Sequence, residues 1–93
     1  MPMYMTLLKV DRTKTHDCLR HLNDLPEKPN AGINVWYVAN VFGDWDNCVW
    51  YETNDNTYAI DWVQHQLAKI PGVVQTYTLP TTPIKEYYKH WNK

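Results

Sequence analysis

The sequence predicts an α+β domain whose elements run strand–helix–strand–strand–helix–strand, and three observations predict it. Two β-capable runs, 33–42 and 47–53, flank the turn Gly43-Asp44-Trp45-Asp46 and read as a hairpin. Two stretches with apolar residues at helical spacing, 14–25 and 56–70, lie one ahead of that hairpin and one behind it. Two further short apolar runs, 3–10 and 73–79, take the outer positions. Ninety-three residues make one such domain, since domains run about 100–150 residues.

Each element has its own punctuation. The first strand ends at Asp11-Arg12. In the first helix Cys18, Leu19, Leu22 and Leu25 share a face, while His16, Arg20, Asn23 and Asp24 lie away from it. Pro26 stops this helix, and Pro29-Asn30-Ala31-Gly32 is a turn cluster. Asn54-Asp55 supplies N-cap residue types for the second helix. There Ala59, Ile60, Val63, Leu67 and Ile70 form the expected apolar stripe, with Tyr58 and Trp62 at its edge and Asp61, Gln64 and His65 opposite. Pro71-Gly72 ends it, glycine suiting a left-handed cap. After the last strand, Thr82-Pro83 and the spacing of Ile84, Tyr87, Tyr88 and Trp91 predict a short terminal helix. The whole is a ferredoxin-like βαββαβ arrangement: a four-stranded antiparallel sheet with two helices on one face.

The second face of that sheet carries information. Strand 2 alternates Val35, Tyr37, Ala39 and Val41 with Trp36, Val38, Asn40 and Phe42; strand 3 sets Cys48 and Trp50 against Val49 and Tyr51. Both faces are apolar, whereas a half-solvated sheet alternates apolar with polar. Five Trp, seven Tyr and one Phe add ring surface that needs burial or a partner. The expectation is a homodimer packed sheet to sheet in a dimeric α+β barrel, assembling further into a higher oligomer; the alternative is that 83–93 folds over its own sheet. Nine basic against ten acidic residues give a net charge of −1 and argue against direct nucleic-acid binding. With no signal peptide at the N-terminus and no run of about 20 apolar residues, the chain reads as soluble and cytoplasmic, with no membrane contact. Cys18 and Cys48 read as reduced, buried thiols, with a disulfide between them the less favoured pairing.

The turn Gly43-Asp44-Trp45-Asp46, the approach Ile70-Pro71-Gly72-Val73 and the run Thr76-Tyr77-Thr78 resemble the effector-binding half of the Lrp/AsnC (feast/famine) regulators. That family shows a Gly-x-x-Asp hairpin turn and an I-x-G-V…T-x-T entry into the last strand. The likeness covers about residues 3–79. Too little chain precedes Met3 for a helix-turn-helix, so the resemblance implies a stand-alone module of the RAM type that regulates transcription without touching DNA itself. It also implies a small effector, often an amino acid, bound between dimers near the hairpin turn, and a full-length regulator of the same family as a further partner. Trp45, Trp50 and the aromatic segment 87–91 depart from the family pattern, so the ligand's identity does not carry over.

The candidate ligand residues are Gly43, Asp44, Trp45 and Asp46, with Thr76 and Thr78 added by the resemblance. Gly43 permits a positive φ, the carboxylates accept hydrogen bonds from an ammonium group, and Trp45 covers an apolar or cationic portion. The competing reading is a hairpin whose Asp residues satisfy turn amides and whose Trp45 is an oligomer contact. No cofactor is implied. A metal-binding (Cu or Zn) alternative rests on Cys18 and His21 at i, i+3 and on Asp61 and His65 at i, i+4, with Met1, Met3 and Met5 as soft donors; no ligand set follows from these. A second alternative, a monooxygenase-like enzyme of the dimeric α+β barrel type, has no nominated acid, base or cofactor ligand, and no catalytic motif is present.

Overall fold

The computed structural model describes residues 3–30, 32–82 and 84–85. The elements are β1 (Met3–Val10), a 3-10 turn (Arg12–Lys14), α1 (Thr15–Asn23), β2 (Asn34–Asn40), β3 (Asn47–Glu52), α2 (Asn56–His65), a second 3-10 turn (Leu67–Lys69) and β4 (Val73–Thr81). The strands form one antiparallel sheet in the order β2-β3-β1-β4, so β1 and β3 are central and β2 and β4 are edges. This is the ferredoxin-like α+β fold that the element order predicts. The terminal helix expected from Thr82-Pro83 onward lies outside the described residues, apart from Thr82, Ile84 and Lys85.

Local chemistry sets the boundaries. The Asp11 carboxylate accepts the Thr13 amide (2.9 Å) and opens the turn that leads into α1. The Asp55 carboxylate accepts the Thr57 amide (2.8 Å) and caps α2. The second helix is shorter than expected. It leaves α-geometry at Gln66 and tightens into 3-10, since Ile70 must be extended (ψ 131°) ahead of Pro71. Gly72 follows at φ 94°, and its carbonyl accepts the Asp11 amide (2.7 Å), tying the end of β1 to the start of β4.

The core lies between the helices and one face of the sheet. Tyr4 and Leu8 of β1, Val49 and Tyr51 of β3, Cys18 and Leu22 of α1, and Ala59, Trp62 and Val63 of α2 are all buried there, with Leu67 beyond α2. Tyr51 is the hub. Its ring meets Trp62 edge to face (4.8 Å between centroids, 75°) and stacks on Tyr4 (5.8 Å, 13°). Its buried hydroxyl shares a hydrogen bond with Thr6 Oγ1 (3.0 Å), which also meets Thr78 Oγ1 (2.9 Å). Fully burying each such ring contributes roughly 1.5–3 kcal/mol.

Two expectations about faces change. In α2, Ala59, Trp62 and Val63 fall within about 100° of arc. Trp62 (1% exposed) therefore belongs to the buried face, and Ile60, about 100° from Ala59, is left 56% exposed. In β2 a bulge at Trp36 interrupts the alternation: Val35 pairs with Tyr51 and Tyr37 with Trp50. Val35 and Val38 therefore both face the core, and Trp36 projects from the edge at 43% exposure. In α1 Leu19 is similarly at the margin, 37% exposed.

The opposite face carries Met3, Met5 and Leu7 of β1, Cys48 and Trp50 of β3, Tyr37 and Ala39 of β2, and Tyr77 and Leu79 of β4. Tyr37 stacks on Trp50 (5.6 Å, 13°), and among the described residues no helix lies over this face. Thr6→Val tests the buried hydroxyl chain. It leaves the Tyr51 hydroxyl without its Thr6 partner, and urea denaturation should show a loss of about 1–3 kcal/mol with an unchanged m-value.

Candidate functional site

The hairpin turn between β2 and β3 is held against the central strand β1. Gly43 sits at φ 112°, a region side chains disfavour, and a Cβ there would meet nothing within 4 Å. Glycine is thus required by the backbone angle and not by space. Asp46 does three things at once. Its amide donates to the Leu8 carbonyl (2.9 Å), its carbonyl accepts the Val41 amide (3.0 Å), and its Oδ2 accepts the Val10 amide (2.8 Å). Lys9 Nζ donates to the Asp44 carbonyl (2.6 Å), closing the other side of the turn. Trp45 is half-buried because its ring reaches across β1 to stack on Tyr77 of β4 (6.0 Å, 18°).

Gly43, Asp44, Trp45 and Asp46 therefore form one cluster with Lys9 and Tyr77. The Asp44 side chain is exposed and makes no hydrogen bond among the described residues, and Asp46 keeps Oδ1 for another partner. Thr76 and Thr78 lie on the other side of the sheet. Thr78 pairs with Thr6 and bonds it, and Thr76 pairs with Leu8, so both share the helix-side face. Tyr77, between them in sequence, is the β4 residue on the side of Trp45. The strict alternation of a strand carried that distinction, while Lys9 gave no sequence signal beyond its place at the end of β1.

The histidine and cysteine candidates are separated by burial and by helix geometry. Cys18 is 1% exposed; burial, and then the Asp46 carboxylate, push its thiol up from the ordinary value. Burial pushes Cys48 up as well. His21 Nδ1 meets the Asp17 carbonyl (2.9 Å) and His65 Nδ1 meets the Asp61 carbonyl (3.0 Å). A carbonyl only accepts, so each Nδ1 carries a proton. Both rings line one cleft between α1 and the end of α2, and the Cys18 side chain is buried away from it in the core. Among the described residues no three His, Cys, Asp or Glu side chains gather around one point. No helix among them is long and apolar enough to cross a membrane.

Two outcomes test this description. Asp46→Ala removes the acceptor of the Val10 amide and should lower stability by roughly 1 kcal/mol in urea denaturation, whereas Asp44→Ala, whose carbonyl alone is engaged, should leave it unchanged. Cys18, Cys48 and Tyr51 all hold their protons more tightly folded than unfolded. The stability this gives is full below the ordinary values, 9.0 for the thiols and 10.0 for the tyrosine, and is lost as pH rises from there through the raised folded values, so denaturation midpoints should fall above pH 9.0.

No family model matches the chain, and no curated protein does. Solved structures do. FFRP-DM1 superposes with a TM-score of 0.69 at 21% identity, over 88% of this chain and 100% of its own. TTHA0845 from Thermus thermophilus gives 0.71 at 20% identity, over 92% of this chain and 99% of its own. The transcriptional regulator NMB0573 of Neisseria meningitidis, crystallised as its L-Met complex, gives 0.72 at 14% identity; the match spans 97% of this chain and 58% of the regulator. These matches comprise stand-alone RAM-like proteins and the RAM domains of Lrp/AsnC regulators, and it is their fold that this chain shares.

Proposed function

We propose that this domain is an effector-binding regulatory module that works as a dimer or larger assembly and takes its small-molecule ligand at the Gly43–Asp46 turn. The observation that carries the reading is the open sheet face. Met3, Met5, Leu7, Trp50 and Leu79 are only half-buried there, and Tyr37 and Tyr77 are 38% and 51% exposed. A second copy of the same face is the partner that a continuous apolar sheet surface fits, since it offers matching chemistry over a matching area. The turn lies at the rim of that face through the Trp45–Tyr77 stack, so a ligand seated on the turn is placed to feel the assembly state. The Asp44 carboxylate and Asp46 Oδ1 suit an ammonium group, and the Trp45 ring suits the ligand's apolar part. The L-Met complex of the regulator with this fold makes amino acids the first ligands to try. A full-length regulator offering the same sheet face is a further partner consistent with this reading.

Light scattering should return at least twice the monomer mass of 11.1 kDa, and Trp50→Asp on the open face should return the monomer. A wild-type monomer at micromolar concentration would remove the basis of the reading. An amino-acid panel including L-methionine should raise the melting temperature for at least one ligand, by up to about 2.7 kcal/mol of stabilisation at a hundredfold excess over Kd. That gain should vanish in Asp44→Ala, which leaves the fold's hydrogen bonds in place.

A further inference from the structure

At the end of the sheet away from the Gly43 turn, where β2 begins and β3 ends, a cleft of about 330 Å³ is lined by Lys28, Asn34, Glu52 and Tyr58. Asn34 and Glu52 face each other across the two strands, and Asn34 Nδ2 donates to Glu52 Oε1 (2.9 Å). A carboxylate only accepts, so this bond fixes the amide's orientation and turns Asn34 Oδ1 the other way. That oxygen is buried and has no hydrogen-bond donor. Closed off from solvent, it lies out of a ligand's reach, so what the floor offers is the Glu52 carboxylate, fixed in place by the Asn34 amide. Among the described residues Lys28 and Glu52 make no ion pair, although both line the cleft.

The wall opposite is aromatic. Tyr58, 51% exposed, packs so closely over Gly32 that a Cβ added at Gly32 would run into its ring. The missing side chain at residue 32 makes room for the ring, which lines the cleft and stays half exposed. The carboxylate and the ring favour positive charge, the Lys28 ammonium beside them favours negative charge, and the volume is that of a small organic molecule. The geometry points to a second binding site here, for a small molecule carrying a primary ammonium group, with Glu52 as the charge partner, Tyr58 as the ring contact and Lys28 as the contact for any acid group the ligand also bears. The site is independent of the ligand reading at the turn, because the two lie at opposite ends of the β2–β3 hairpin.

The test is a backbone-amide NMR titration of the full chain with ethylammonium, β-alanine and acetate. Ethylammonium and β-alanine should shift Gly32, Asn34, Glu52 and Tyr58, with β-alanine the tighter, and acetate should not. Glu52→Gln, near-isosteric, should weaken both amines by at least about tenfold. Lys28→Met should bring β-alanine down to ethylammonium while leaving the latter unchanged. Unshifted amides at these four residues, an equal response to acetate, or undiminished amine binding in Glu52→Gln would each overturn the site. Shifts confined to 43–46 would overturn it too, while supporting the turn reading; shifts confined to the cleft would do the reverse. Gly32→Ala, which displaces Tyr58, gives an independent check: amine affinity should fall while Glu52 remains in place.

Discussion

A four-stranded sheet has two faces and the described residues form two α-helices, and most of the architecture follows from that mismatch. At about 10 Å per helix, two helices suffice for the roughly 15–20 Å width of four strands, so among the described residues no helix is left for the other face. The covered face is built from large rings and short hydroxyls, Tyr51 against Trp62 and Thr6 between Tyr51 and Thr78. The other face, open among the described residues, is built from methionines, two leucines and stacked aromatics. The apolar set makes a surface whose burial adds to stability only when something meets it, and a modest domain of this size has reason to recruit that addition.

Strand β1 is the mechanical centre of the molecule. It pairs on both sides, it supplies Tyr4, Thr6 and Leu8 to the core, and its C-terminal end anchors two separate loops. The hairpin turn is fastened there by the Val10 amide, the Leu8 carbonyl and the Lys9 ammonium; the entry to β4 is fastened there by the Asp11 amide on Gly72. An exposed turn held by a central strand is pre-organised in a way that a free hairpin tip is not. For a ligand docking there, as proposed, the polar groups would already be ordered and less affinity would be lost to ordering them.

The sequence carried the strands, the hairpin and the order of elements because each depends on local punctuation: Gly43 and Gly72 at positive φ, Asp11 and Asp55 as caps, Pro71 as a stop. It did not carry the bulge at Trp36, which depends on which β3 residue each β2 residue meets, a choice made by packing across strands. It misjudged Trp62 and Ile60 because a stripe drawn through aliphatic residues ignores the larger area a tryptophan removes from water. It grouped Thr76 and Thr78 with the turn, since a motif in one dimension says nothing of which face a residue takes; once β4 is a strand beside β1, register alone assigns the threonines to the helix side and Tyr77 to the turn. The Asn34–Glu52 pair was invisible for the same reason: eighteen residues of separation become direct neighbours only through the hairpin.

If the open face meets a second copy, the Trp45–Tyr77 stack becomes the point where ligand binding and assembly share atoms. A ligand changes an assembly equilibrium only by binding one state better than another. Contact with the exposed Asp44 carboxylate alone would tie the ligand to no residue of the open face. Contact with the Trp45 ring would not, since moving it shifts Tyr77, a residue of the face itself. On the proposed reading, affinity and coupling would be divided between neighbouring residues of one turn: the carboxylates would hold the ligand, and the indole would pass its presence to the partner.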